Sequence, residues 1–124
     1  MNRTIVVTGA TSGFGKAIAE AFARKGDQLI VTGRREERLR GMADELSRNH
    51  GIRVLPLTFD VRDRSQVMES LGSLPEEWTP VDILVNNAGL ALGRDHFDEA
   101  DLDDWDTMID TNLKGLLYTT RAVL

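Results

Sequence analysis

A chain of 124 residues, 41% of them apolar, has room for one domain with a core of its own. Its formal charge of −5 argues against nucleic acid or an anionic membrane surface as the main partner. Without cysteine there is neither a disulfide framework nor a thiolate metal site, and His50 and His96 lie too far apart for ligand spacing, so no metal is expected. No apolar run approaches a membrane span, and Met1-Asn2-Arg3 leads into a strand rather than a signal sequence, so the expectation is a soluble, cytoplasmic protein.

The first element is the β-branched run Thr4-Ile5-Val6-Val7-Thr8, which empties into glycines at 9, 13 and 15. Ala17, Ile18, Ala21 and Phe22 then recur at helical spacing, so the segment reads as strand, tight turn and helix. A helix N-terminus presents unpaired N–H groups and partial positive charge, which favour a phosphate. The commonest dinucleotide fingerprint, Gly-x-Gly-x-x-Gly, is absent; the P-loop spacing also fails, and Ala17 has no hydroxyl for Mg²⁺. What remains is Thr8-Gly9-x-x-x-Gly13-x-Gly15.

Lys25-Gly26-Asp27 ends the first helix, and Gln28 to Thr32 reads as a second buried strand ending at Gly33-Arg34-Arg35. The next helix carries Leu39, Met42, Ala43 and Leu46 on one face and closes at His50-Gly51. Ile52 to Phe59 reads as a third strand, where Pro56 points to a sheet edge or an irregularity, and Asp60-Val61 lies at its end. Asp63 can cap a helix bearing Val67, Leu71 and Leu74. A loop from Pro75 to Pro80 holds Trp78 as a lid on the core; Val81 to Val85 is the fourth strand, followed by Asn86-Asn87-Ala88-Gly89. One long helix is expected to hold Trp105, Met108, Ile109, Asn112, Leu116 and Leu117.

Alternating strands and helices mean a doubly wound parallel sheet of Rossmann type, with strand order 3-2-1-4 for the half present. Four polar signatures (Gly9 to Gly15, Gly33-Arg34-Arg35, Asp60-Val61, Asn86 to Gly89) all follow strand C-termini, the edge where such sheets bind ligands. Alone, Asn86-Asn87-Ala88-Gly89 is a strand-ending turn; its place on that edge makes it a ligand-facing one. The acidic stretch Asp95 to Asp110 fails the calcium-loop template, since Trp105 and Asp106 stand where a ligand and the turn glycine belong. Residues 113–124 stay helical with no stop signal, so residues 1–124 are expected to be one Rossmann domain cut within its last helix.

These four motifs, in this order, resemble the short-chain dehydrogenase/reductase family over essentially the whole chain. The strings Asn86 to Gly93 and Trp105 to Asn112 look like its bacterial NADP-dependent branch acting on 3-hydroxy acids such as serine and allo-threonine. The resemblance implies that Gly9, Ala10, Thr11, Ser12, Gly13, Phe14 and Gly15 lie along the cofactor pyrophosphate. It implies that Asp60 bonds the adenine amino group with the Val61 backbone beside it, and that Asn87, Ala88 and Gly89 border the cofactor ribose.

The second strand ends in Arg34-Arg35 where an acid would bind a ribose 2′-hydroxyl, and a guanidinium can grip a 2′-phosphate through paired hydrogen bonds. Cations at a helix start oppose the helix dipole, which favours a bound anion, so NADP is expected rather than NAD.

The family moves hydride between a nicotinamide and an alcohol or carbonyl with an Asn, a Ser and a Tyr-x-x-x-Lys pair. Asn112 matches the asparagine, but Tyr118 is followed four residues later by Ala122, and is read as packing. The expectation is an oxidoreductase acting on a small alcohol or carbonyl, homo-oligomeric in a full-length form, whose 124 residues hold the cofactor-binding half and are inactive alone. The alternative is a non-catalytic NADP-binding or scaffolding module.

Overall fold

The computed structural model describes residues 3–89 and 101–124; the calls on Met1, Asn2, His96, the string from Leu90 to Gly93 and the start of the acidic stretch lie outside them. Four parallel strands, β1 (Thr4–Val7), β2 (Gln28–Gly33), β3 (Val54–Thr58) and β4 (Ile83–Val85), pair in the order β3-β2-β1-β4. The register sets Ile5 beside Leu29 and Ile83, and Ile30 beside Leu55. Pro56 sits in β3, an edge of the sheet, where its missing N–H breaks no internal ladder.

Side chains alternate across a strand, and here both faces are apolar. Ile5, Val7, Leu29 and Val31 pack against α1 (Gly13–Arg24) and α2 (Glu36–His50) through Ala19, Ala23, Leu39, Met42, Ala43 and Leu46. On the other face Val6 and Ile30 meet Val67 and Leu71 of α3 (Arg64–Leu71), together with Phe59, Val61 and Trp78. Tyr118 packs against this second cluster, in keeping with its reading as a packing residue. Asp63 caps α3 by accepting the Gln66 backbone N–H at 3.1 Å.

Five elements differ from expectation. β3 spans Val54–Thr58 rather than Ile52 to Phe59, and α3 closes at Leu71, so Leu74 lies beyond it. The loop holding Trp78 contains a 3-10 turn, Glu76–Trp78, that seats the indole in the core. β4 spans three residues, Ile83, Leu84 and Val85, in register with Ile5, Val6 and Val7 of β1, while Asp82 bonds Thr4 through its backbone N–H and its carboxylate. The expected long helix is divided into α4 (Leu102–Ile109), a π-helical turn (Asp110–Lys114) and α5 (Gly115–Val123). A π turn inserts one residue into the helical repeat, so it turns the α5 face relative to α4, and such turns recur at functional sites. Leu102, Ile109, Leu113, Leu116 and Leu117 along these elements are exposed.

A polar network ties off the N-terminal edge of the sheet. Gln28, buried at 6% exposure, donates through Nε2 to Thr4 Oγ1 (2.6 Å) and the Glu77 carbonyl (3.0 Å), while its Oε1 accepts from Arg53 Nη2 (2.6 Å). The Arg53 guanidinium lies 5.1 Å from the Trp78 ring centroid, a cation–π distance. Asp27, on the same edge, takes two hydrogen bonds from Arg3, Nε at 3.1 Å and Nη2 at 2.9 Å.

That fork holds the Asp27 carboxyl below the ordinary carboxylate range, burial opposing it. A depressed folded-state pKa contributes stability above the unfolded value of 3.8 and loses it as pH falls through the folded value. An Arg3→Gln variant should therefore be less stable than wild type at neutral pH, with the gap closing as the pH drops below 3.8. Urea midpoints across pH check this; a gap independent of pH counts against it.

Candidate functional site

Parallel strands bring all their C-terminal ends to one edge, and a cleft of about 280 Å³ opens there. Its walls hold Gly9, Thr11 and Ser12 after β1, Gly33, Arg34 and Arg35 after β2, Asp60 and Val61 after β3, and Asn87 to Gly89 after β4. The four polar signatures thus meet in one place. Of the other expected residues, Ala10 is buried beneath the cleft, while Gly13, Phe14 and Gly15 form the start of α1, with Phe14 83% exposed. Asn112 lies in the π turn, its Oδ1 3.2 Å from where a Cβ on Gly89 would stand. The neighbouring Thr111 lines the cleft.

The turn after β1 shows why its glycines stand where they do. Gly9 has φ +61°, and a Cβ there would lie 2.8 Å from Ala88 Cα. A Cβ on Gly15 would overlap the Gly9 carbonyl, so this glycine serves close packing inside the turn rather than ligand approach. Among the described residues, such a Cβ on Gly13 meets nothing within 4 Å beyond its chain neighbours and its own helix backbone. Ser12, the N-cap of α1, spends its hydroxyl on the Gly9 carbonyl at 2.8 Å and gives no side-chain cap to the helix. The first-turn N–H groups keep their pull on an anion.

Thr8 holds the two sides of the cleft together. Its Oγ1 accepts the backbone N–H groups of Asn87 and Ala88, both at 3.0 Å, and donates to the Val85 carbonyl at 3.4 Å. Asn87 returns the link, donating from Nδ2 to the Gly9 carbonyl (3.0 Å) and Ser12 Oγ (3.1 Å). Asn86 faces α5 instead, accepting from Thr119 Oγ1 at 2.6 Å.

Three arginines line the β2 side. Arg35 is the N-cap of α2, Glu36 and Glu37 occupy its first turn, and Arg38 joins Arg34 and Arg35 on the cleft wall. Asp60 faces them across the cleft, gripped by Arg62 through Nη2–Oδ2 (2.7 Å) and two Nε contacts of 3.1 Å. The Arg62 hydrogen bond holds its carboxyl below the ordinary carboxylate range against the opposing effect of burial, and the charge of Arg34 adds to the lowering. Thr32 also borders the cleft; among the described residues its Oγ1 is a buried side-chain polar atom without a hydrogen-bond partner.

Sequence reasoning assigned no role to Thr8, Thr32, Arg38, Arg62 or Thr111. Arg38 had a signal, since a residue three after the helix-capping Arg35 returns to the same end of α2. Asp60-x-Arg62 had one too, as a short acid–base pair at a strand end. The partners of Thr8 lie 77 to 80 residues away, and no local pattern points to them.

The fold and cleft define a dinucleotide-binding α/β half-sheet, with glycine turn, cationic wall and ligand edge in the usual places. Residues 3–124 match the short chain dehydrogenase family model, and the chain belongs to that family. It is 55% identical over 120 residues to the NADP-dependent 3-hydroxy acid dehydrogenase YdfG of Escherichia coli K12, covering 97% of this chain and 47% of that protein. It is 52% identical to sulfoacetaldehyde reductase 2 of Chromohalobacter salexigens, covering 100% of this chain and 48% of that one. Among solved structures, the closed form of a serine dehydrogenase complexed with NADP+ superposes with a TM-score of 0.89 at 53% identity, covering 98% of this chain and 47% of that one. An alcohol dehydrogenase from the archaeon Thermococcus sibiricus gives 0.94 at 34% identity, with 99% and 52% covered. The chain spans about half the length of these relatives.

Thr8 and Thr32 should respond oppositely to the same change. Thr8→Val leaves the Ala88 N–H without its acceptor and the Asn87 N–H with the Val85 carbonyl at 3.0 Å, and should cost about 1–2 kcal/mol, with Thr8→Ser retaining most of the stability. Thr32→Val removes an unpartnered buried hydroxyl and should stabilise the ligand-free protein by about 1 kcal/mol. Chemical denaturation measures both; equal signs for the two valine variants would contradict these hydrogen-bond assignments.

Proposed function

We propose that this chain is the cofactor-binding half of an NADP-dependent oxidoreductase that moves hydride between NADP(H) and a 3-hydroxy acid or a related alcohol or carbonyl. The observation that carries the reading is the convergence of an uncapped helix start, three arginines and an acidic acceptor on one cleft. In a chain of net charge −5, that local cationic wall marks an anion site rather than a general surface property.

The residues present fit such a cofactor. Gly9 to Gly15 would lie along the pyrophosphate, where the α1 N–H groups supply donors and the bare Gly13 position leaves room. Arg34 and Arg35, joined by Arg38, would hold the 2′-phosphate; Asp60 would accept from the adenine amino group with Val61 beside it. Asn87, Ala88 and Gly89 would border the ribose. NADP supplies the hydride chemistry when bound.

The proton of the alcohol needs a placed acid/base of its own. Asn112 is the family's catalytic asparagine in this reading, there to order a proton relay through water. The Tyr-x-x-x-Lys pair has no counterpart among these 124 residues, since Tyr118 is followed by Thr119, Thr120, Arg121 and Ala122. We therefore expect the 124-residue chain to bind NADP without turnover, and its full-length form to work as a cytoplasmic homo-oligomer, with the exposed Leu113, Leu116 and Leu117 at hand for association.

The test compares NADP+ and NAD+ binding by fluorescence titration, then NADP reduction with serine by the 124-residue chain and a form completed with Tyr-x-x-x-Lys. Tight NADP+ binding and turnover by the completed form alone support the reading. Turnover by the short chain would show that the acid/base lies elsewhere, and inactivity of both would favour the binding module. Arg34→Asp should shift preference from NADP+ towards NAD+, losing about 1.5–3 kcal/mol, roughly ten- to a hundredfold in NADP+ affinity. An unchanged preference would remove Arg34 from the site.

A further inference from the structure

Asp60 is held more completely than an acceptor at a strand end needs to be. Arg62 gives its carboxylate the side-chain fork and also a backbone N–H at 2.9 Å to Oδ1. The Asp60 N–H donates to Gln66 Oε1 at 3.1 Å, and its carbonyl accepts the Asp63 N–H at 2.9 Å. Backbone and side chain are therefore both pinned. Asp60 lines the cleft, Arg62 is not among the lining residues, and the Arg62 hydrogen bonds on this side go to Asp60.

We propose that Arg62 is a positioning residue that keeps Asp60 a fixed, acceptor-only carboxylate and thereby makes the cleft select a 6-aminopurine dinucleotide over its 6-oxopurine counterpart. This rests on the reading of Asp60 as the adenine acceptor. An ionised carboxylate accepts from an amino group and repels a carbonyl oxygen; a protonated carboxyl can donate to that oxygen instead, and a rotated carboxylate no longer meets the amino group. Discrimination thus depends on the proton and the rotamer of Asp60, the two properties a guanidinium fork fixes. The charges around the pair act in the same direction. Arg34 favours the ionised acid from the cleft side, and Asp110 of the π turn favours the charge on Arg62.

A purely structural Arg62 would behave differently. Loosening the turn from Asp60 to Asp63 would weaken both dinucleotides alike and leave their ratio unchanged. The ratio is therefore the readout. NADP+ and its deaminated analogue, nicotinamide hypoxanthine dinucleotide phosphate, are titrated calorimetrically into wild type, Asp60→Asn, Arg62→Gln and Arg62→Lys across a range of pH.

Wild type should prefer NADP+, and Asp60→Asn, whose amide can donate as well as accept, should lose most of that preference. Arg62→Gln should lower the ratio by about tenfold, the value of a hydrogen bond to a charged group. Arg62→Lys, with the charge but not the fork, should fall between and shows the same trend if the glutamine variant fails to fold. In both Arg62 variants the preference should fail at a higher pH than in wild type, because the carboxyl no longer has its full depression. A ratio unchanged in the Arg62 variants but lost in Asp60→Asn overturns the role of Arg62 alone. A ratio unchanged in all three removes Asp60 from the adenine site and the inference with it.

Discussion

The Thr8 hydroxyl stands between the Val85 carbonyl and the N–H groups of Asn87 and Ala88, partners 77 to 80 residues along the chain. It continues the β1–β4 pairing one step past the last paired residues, Val7 and Val85. Because this staple and the Asn87 side chain fix the two turns together, Gly9 can lie against Ala88 with no side chain between. The α1 start, the Gly9 turn and the Asn87 segment then form one surface. Without that bond the Asn87 side chain and the Thr8 N–H, which donates to the Val85 carbonyl at 3.1 Å, would be left to carry the link between the β1 and β4 turns.

Electrostatics is layered on this frame. A helix start with no side-chain cap keeps its donors, and the arginines around α2 sit opposite a carboxylate whose charge is tied to Arg62. The acid on the β3 side offsets the cations on the β2 side only in part, because Arg62 takes most of its charge while Arg34 still favours its ionised form. The cleft therefore offers two chemically distinct ends, one cationic and one accepting, within a single cavity.

Much of this was legible in the sequence because it is local. Strand runs emptying into glycine, Asp63 before a helix and Pro56 at an edge each state a backbone preference within a few residues, and alternation of elements dictates the sheet. Arg34 and Arg35 were readable for the same reason, as cations where a helix begins. The π turn was not readable: it differs from the α-helix by one step in hydrogen-bond partner, and Asp110 to Lys114 carries no residue type that demands it. Thr8 and Thr32 look alike in sequence, yet one hydroxyl bonds three backbone groups and the other has none. That difference arises only when distant strands close on one another.

The network at the far end of the sheet has its own consequence. Strand β2 has six residues and so five steps, which put the Gln28 end and the Gly33 end about 17 Å apart at the usual rise per residue. That is about twice the screening length of about 8 Å at physiological ionic strength. The exposed charges of Arg3 and Arg53 are thus largely screened from the arginine wall. A change of charge at that end of the strands acts first on the stability of the domain and only weakly on the potential at its ligand edge.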